Sequence, residues 1–89
     1  MEMIFSPASL EDLEYWKKVN NTAILKRIEL LLADIAEHPF TGIGKPERLK
    51  FDLAGKWSRR INSEHRIVYK VTEQGIEILI LSMRWHYKQ

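Results

Sequence analysis

The chain has 89 residues, 45% of them hydrophobic and 29% charged, which predicts one globular domain over residues 1–89 rather than a disordered segment. It has no cysteine, which excludes disulfides. It has no apolar run near the ~20 residues of a membrane span and no signal-peptide pattern, which together predict a cytoplasmic protein. Residues 1–44 carry four Lys/Arg and seven Asp/Glu, and residues 45–89 carry ten and five, which indicates either a surface for a polyanion or an unevenly charged solvated surface.

The first half of the chain predicts a short strand followed by two helices. The strand is the apolar pair Ile4–Phe5. Ser6–Pro7 supplies an N-cap and a proline suited to the first turn, and apolar residues at helical spacing carry this first helix to about Val19. Asn20–Thr22 caps a second helix, which Pro39 ends. Its apolar residues recur at i, i+4, i+7 and i+11, namely Ile24, Ile28, Leu31 and Ile35.

The second half predicts a loop over residues 41–46 and then strands separated by turns. Apolar alternation and turn residues place these strands at Glu47–Phe51, Trp57–Ile61, His65–Val71 and Ile76–Arg84. The fold class is therefore α+β, with an N-terminal helical hairpin packed on a twisted antiparallel sheet.

Three polar residues near the ends of these strands are candidates for chemistry. Glu47, Arg66 and His86 are spaced 19 and 20 residues apart, and meandering strands bring residues at such spacing side by side. Taken singly, each is more often a solvated surface residue than a functional one. Taken together, they could converge on one face of the sheet.

This combination suits the cleavage of RNA by transesterification. The RNA supplies its own nucleophile, the 2′-hydroxyl, so the protein needs only a base, an acid and a cation for the transition state. A carboxylate can be the base, a histidine the acid, and an arginine the source of fixed hydrogen-bond donors. This chemistry requires no metal or other cofactor, and the sequence has no obvious cluster of metal ligands.

Basic residues interleaved with aromatic ones are typical of a groove for single-stranded RNA. The basic residues are Lys45, Arg48, Lys50, Lys56, Arg59 and Arg60, and the aromatic ones are Trp57, Trp85 and Tyr87. The alternative for the aromatic residues is packing in the core or at an interface, which we favour more for Trp57 than for Tyr87. No functional role is predicted for His38 or His65.

Several motifs together resemble the YoeB branch of the RelE toxin family. The segments that carry the resemblance are Pro39–Lys50, Leu53–Ile61, Glu64–Tyr69 and Arg84–Tyr87, and the similarity covers nearly the whole chain. Departures from the family pattern are Arg48 in place of proline, Trp85 in place of tyrosine, and the additional Lys88 and Gln89 at the end.

The resemblance implies a RelE-like fold and the cleavage of messenger RNA in the ribosomal A site. It assigns Glu47 as the general base, His86 as the general acid and Arg66 as the group that stabilises the transition state. Further positions that match RNA-contacting or RNA-orienting residues are Lys50, Arg59 and Tyr87. The implied partners are a YefM-like antitoxin, the ribosome and a second copy of the chain in a homodimer.

Two other functions remain open on the same fold. One is a ParE-like poison of DNA gyrase, and the other is a non-catalytic RNA-binding module that uses only the basic face, including Lys45 and Arg60. Neither would need Glu47 and His86 together, so the acid–base pair favours the endoribonuclease.

Overall fold

The computed structural model describes residues 2–75 and 77–85. A strand, β1 (Glu2–Phe5), leads into a hairpin of two helices, α1 (Pro7–Lys18) and α2 (Thr22–Glu37). Four further strands follow in the described residues. They are β2 (Glu47–Arg48), β3 (Trp57–Arg60), β4 (Arg66–Val71) and β5 (Glu77–Ser82).

Both helices begin at the predicted caps. The Ser6 hydroxyl accepts the backbone N–H of Ser9, and the Asn21 side chain accepts that of Ile24, so each cap satisfies a donor that the first turn leaves unpaired. The apolar stripe of α2 is buried as its spacing predicted, with Ile28, Leu31 and Ile35 at most 2% exposed. This stripe packs on the inward-facing side chains of the sheet, which are Ile67, Tyr69, Ile78 and Ile80.

The predicted α+β architecture is confirmed, but the prediction of an entirely antiparallel sheet is wrong at one edge. Among the described strands the order is β1-β5-β4-β3-β2, and β1 runs parallel to β5 while the other neighbours are antiparallel. Ser6 extends the parallel pairing by donating its backbone N–H to the Ile80 carbonyl at 2.9 Å. This parallel pair makes the sheet mixed. The helical hairpin, which follows β1 directly, covers one face of the sheet.

The predicted strand Glu47–Phe51 is shorter than expected. Only Glu47 and Arg48 pair with β3, and a short 3-10 helix follows over Phe51–Leu53. Phe51 has a φ of 55°, in the left-handed region that ends extended structure. Within the described ranges, no helix is both long and apolar enough to cross a membrane.

Candidate functional site

The face of the sheet away from the helices brings together Glu47, Arg60 and Arg66. Glu47 lies opposite Ser58 across β2 and β3, and Arg60 lies opposite Arg66 across β3 and β4. Residues that are directly opposite each other in a sheet point to the same side, and Ser58 and Arg60 are two positions apart on one strand. The carboxylate and the two guanidinium groups therefore share one face.

Arg66 is the least exposed of these three residues, and its electrostatics reflect its neighbours. Desolvation is the main cause that lowers the pKa of Arg66, and the nearby charge of Arg60 lowers it further, while Glu47 raises it. A guanidinium is not deprotonated in proteins, so the group stays cationic. Two like charges beside one carboxylate leave a local excess of positive charge, which suits the binding of a phosphate.

The Arg66 guanidinium is oriented by the turn that precedes β4. Its Nη1 donates to the carbonyl oxygens of Asn62, at 3.1 Å, and His65, at 3.3 Å. Among residues 2–75 and 77–85, its Nε and Nη2 groups have no hydrogen-bond partner. An arginine held through one nitrogen can present its remaining donors to a ligand oxygen.

Lys45 and Lys50 flank Glu47, and both are exposed. Lys45 lies two residues before Glu47 and Lys50 three residues after it. Lys50 also lines a cavity of about 800 Å³ with Arg48, Phe40 and Trp57. Neither Glu47 nor Arg66 lines this cavity, so it is separate from the cluster of catalytic candidates.

Trp57 packs within the protein, as its alternative interpretation predicted. Its ring lies 5.0 Å from that of Phe40, and the Arg48 guanidinium sits 5.8 Å from its centroid. These contacts build one wall of the cavity.

Arg59 does not fit its predicted contact with RNA, because the residue has no exposed surface. Each of its five N–H donors instead has a partner inside the protein. Nε donates to the Tyr69 hydroxyl at 3.0 Å and Nη1 donates to the Asp34 carboxylate at 2.6 Å. The other bonds go to backbone carbonyl groups of the loop after α2, those of His38, Thr41 and Ile43.

The Arg59 network determines the path of the loop that leads to Glu47. Tyr69 also donates its hydroxyl to the Pro39 carbonyl at 2.6 Å, and Asp34 accepts the backbone N–H of Ile43 at 3.1 Å. Burial is the main cause that raises the pKa of Tyr69, so this hydroxyl stays protonated and can donate. The loop is thus wrapped around one buried guanidinium.

Asp34 makes the network dependent on pH. The hydrogen bond from Arg59 is the largest cause that lowers the pKa of Asp34 below its ordinary value. Because the pKa is lower in the folded state, the carboxylate stabilises the fold above its ordinary pKa. That contribution is lost as the pH falls through the lowered value.

Gly42 and Gly44 serve this loop through their backbone. Both have positive φ, of 118° and 79°. A Cβ at Gly42 would overlap the Asp34 carboxylate, and one at Gly44 would lie 2.6 Å from Leu31 Cδ2. Only glycine therefore allows the loop to approach α2 this closely.

Strand alternation distinguishes Arg59 from Arg60. Arg59 shares its side of β3 with Trp57 and so faces the core, whereas the next residue, Arg60, faces outward beside Arg66. The period of two was therefore a signal in the sequence that the side chain of Arg60, and not that of Arg59, is exposed.

The chain after β5 is anchored to α1. Trp16 donates its indole N–H to the Met83 carbonyl at 2.9 Å, and the Met83 backbone N–H donates to the Asp12 carboxylate at 2.9 Å. His86 and Tyr87, predicted as the general acid and an RNA-binding residue, lie outside the described residues.

Known proteins match this chain over nearly its full length. A family model described as "YoeB-like toxin of bacterial type II toxin-antitoxin system" matches residues 5–87. The chain is 49% identical to "Toxin YoeB" of Synechocystis sp. over 89 residues, with complete coverage of both chains. It is also similar to two solved Staphylococcus aureus structures, a "YoeB dimer" (43% identity, TM-score 0.85) and a "YoeB-YefM complex" (44%, 0.83), each covering 98% of both chains.

We expect Arg59→Lys to destabilise the protein by roughly 2–4 kcal/mol. A lysine ammonium can keep the charge pair with Asp34, but it cannot reach the loop carbonyls that a planar guanidinium serves, and each buried group left unpaired costs ~1–3 kcal/mol. Urea unfolding would measure the change. The matched control is Arg60→Lys on the exposed face, which should change stability by less than about 0.5 kcal/mol. Equal losses in the two variants would contradict this account of Arg59.

Proposed function

Since the chain belongs to the YoeB-like toxins of bacterial type II toxin–antitoxin systems, we propose that it is an endoribonuclease that cuts messenger RNA in the ribosomal A site. The observation that carries the proposal is the convergence of Glu47, Arg60 and Arg66 on one exposed face. A carboxylate beside two guanidinium groups offers a base and a phosphate-binding site without a protein nucleophile.

In the proposed reaction, the RNA 2′-hydroxyl attacks the adjacent phosphorus. Glu47 takes the proton of this hydroxyl as general base, and the new 2′-oxygen–phosphorus bond forms a cyclic phosphate. Arg66 donates hydrogen bonds to the phosphoryl oxygens, where negative charge increases in the transition state. The bond from phosphorus to the 5′-oxygen breaks, and His86 supplies the proton that this oxygen needs to leave.

Arg60, Lys45 and Lys50 would hold the RNA backbone around the reacting phosphate. All three are exposed, and Arg60 lies directly opposite Arg66 in the sheet. Tyr87 is proposed to orient the RNA from the C-terminal segment. Arg59 is left out of this set because it is buried.

The small size of the site supports the proposed dependence on the ribosome. An 89-residue chain with a small cluster of exposed cations offers little surface to grip and align a flexible RNA. The ribosome holds the codon in a defined position, which converts the reaction into one between pre-oriented groups. The toxin would therefore act in the cytoplasm, on messages under translation.

We expect rapid cleavage of a defined message only in the presence of programmed ribosomes. Primer extension on the message with and without ribosomes would measure it, and supercoiling by DNA gyrase would be assayed in parallel. Specific cutting of naked RNA at the same low protein concentration would contradict ribosome dependence. Inhibition of gyrase without RNA cleavage would favour the ParE-like alternative.

Glu47→Gln and His86→Ala should each slow ribosome-bound cleavage by ~10²-fold or more, the usual contribution of a general base or acid. The matched control is Glu29→Gln, which removes a carboxylate from the exposed side of α2 and should leave the rate unchanged. Both site variants should melt close to the wild-type temperature. A wild-type rate in either one would remove that residue from the mechanism.

For its partners, we propose a YefM-like antitoxin and a homodimer. The similar S. aureus proteins are described as a dimer and as a YoeB–YefM complex. An acidic antitoxin segment, disordered alone, would fold over the basic face that carries Glu47 and Arg66. Opposite charges would speed association and make its rate fall with salt.

Hydrogen exchange on free and antitoxin-bound toxin would test where the antitoxin binds. We expect protection within residues 45–85, around β2, β3 and the start of β4. The competing arrangement places the antitoxin on the helical hairpin alone. Protection confined to residues 7–38 would support that arrangement and contradict ours.

A further inference from the structure

His65 is a buried titratable residue that the proposed reaction does not use. It is 7% exposed and lies directly before Arg66, at the start of β4. Its imidazole meets the Trp16 ring edge-on, with 4.8 Å between centroids, and the Trp85 ring at 5.5 Å. A histidine enclosed by two indoles could serve packing alone, but its hydrogen bond indicates more.

The dipeptide His65–Arg66 binds both backbone polar groups of Trp85. His65 Nδ1 accepts the Trp85 backbone N–H at 2.8 Å, and the Arg66 backbone N–H donates to the Trp85 carbonyl at 2.8 Å. Nδ1 can accept only when it carries no proton, so the imidazole is neutral with its hydrogen on Nε2. Glu64 Oε1 lies 4.0 Å from Nε2.

Trp85 needs this support because of its backbone conformation. Its φ is 66°, in the left-handed region that side chains other than glycine rarely adopt. Such a residue persists where its surroundings determine its conformation. Trp85 is 56% exposed, so its own side chain contributes only part of that constraint, and the two backbone hydrogen bonds supply the rest.

The position of Trp85 in the chain gives this contact a consequence for catalysis. The next residue is His86, the proposed general acid, and the contact that holds Trp85 uses the backbone of Arg66, the proposed transition-state ligand. Two residues earlier, the chain is already held by Trp16 and Asp12 through Met83. The backbone is thus fixed up to the residue before His86.

We propose that His65 is a positioning residue, which accepts the Trp85 N–H and thereby holds the backbone at the residue that precedes His86. The role of His86 rests on the proposed function. The hydrogen bond itself does not, so the two can be tested separately.

The test compares His65→Leu, which fills the space without an acceptor, with His65→Asn, whose Oδ1 can stand where Nδ1 stands. We expect Leu to lower the maximal single-turnover rate on programmed ribosomes by 10-fold or more, with an unchanged apparent affinity for the ribosome. Asn should restore most of that rate. The matched control is His38→Leu, which removes an exposed histidine and should leave both quantities unchanged.

Two outcomes of the rate measurement would overturn the proposal. One is a wild-type maximal rate in a folded His65→Leu variant. The other is an equal loss in Leu and Asn, which would assign His65 to packing. A change in ribosome affinity at constant maximal rate would also contradict a role in positioning the acid.

A spectroscopic measurement on the wild-type protein separates this proposal from the proposed function. A scalar coupling between the Trp85 amide nitrogen and His65 Nδ1 would establish the N–H···N bond directly, even if the protein cut no RNA. The Trp85 amide should exchange faster with solvent in the Leu variant than in the Asn variant. Absence of the coupling in the wild type would overturn the proposal even if the toxin cuts RNA. The measurement is made on the wild-type protein, so it also decides the question if the Leu variant does not fold.

Discussion

The buried guanidinium of Arg59 is the interaction on which the candidate site depends. A buried charge is costly unless it is paired and fully hydrogen-bonded, and Arg59 meets both conditions through Asp34, Tyr69 and three loop carbonyls. Those carbonyls belong to a segment without regular secondary structure, whose backbone would otherwise need water. One side chain thus substitutes for the hydrogen bonds of a helix or strand, and the loop can lead to β2 in one conformation.

A residue in the left-handed region precedes each of the two residues that are proposed for acid–base chemistry. Lys45, two residues before Glu47, has a φ of 52°, and Trp85, one residue before His86, has a φ of 66°. The left-handed conformation costs a residue other than glycine on the order of 1–3 kcal/mol, and it persists where neighbouring contacts fix it. Before Lys45, the Gly44 carbonyl accepts the Arg60 N–H, and Trp85 is held by His65 and Arg66. Each of these residues lies one or two positions before a side chain proposed for acid–base chemistry.

Features that depend on residues close together in the sequence could be predicted, whereas contacts between distant residues could not all be predicted. Local signals were sufficient for the helices, because the caps and the apolar spacing of α2 act within a few residues. The spacing of Glu47 and Arg66 predicted that the two residues share one face of the sheet, and the register places them on one face, with β3 between their strands. The parallel pairing of β1 with β5 could not be predicted from the sequence, because it joins segments near the two ends of the chain. The partners of Arg59 were equally hidden, since carbonyls of an irregular loop leave no pattern in the sequence.

Only part of the excess positive charge of residues 45–89 is available at the surface. That half carries an excess of five positive charges, but one of its cations, Arg59, is paired in the core with Asp34 of the acidic half. Part of the asymmetry along the sequence is therefore cancelled inside the fold and is not available to a polyanion. Affinity for nucleic acid that rests on released counterions scales with the number of phosphates contacted. A surface with few exposed cations around one carboxylate would bind RNA weakly by that mechanism, which agrees with the proposal that the ribosome presents the substrate in a fixed position.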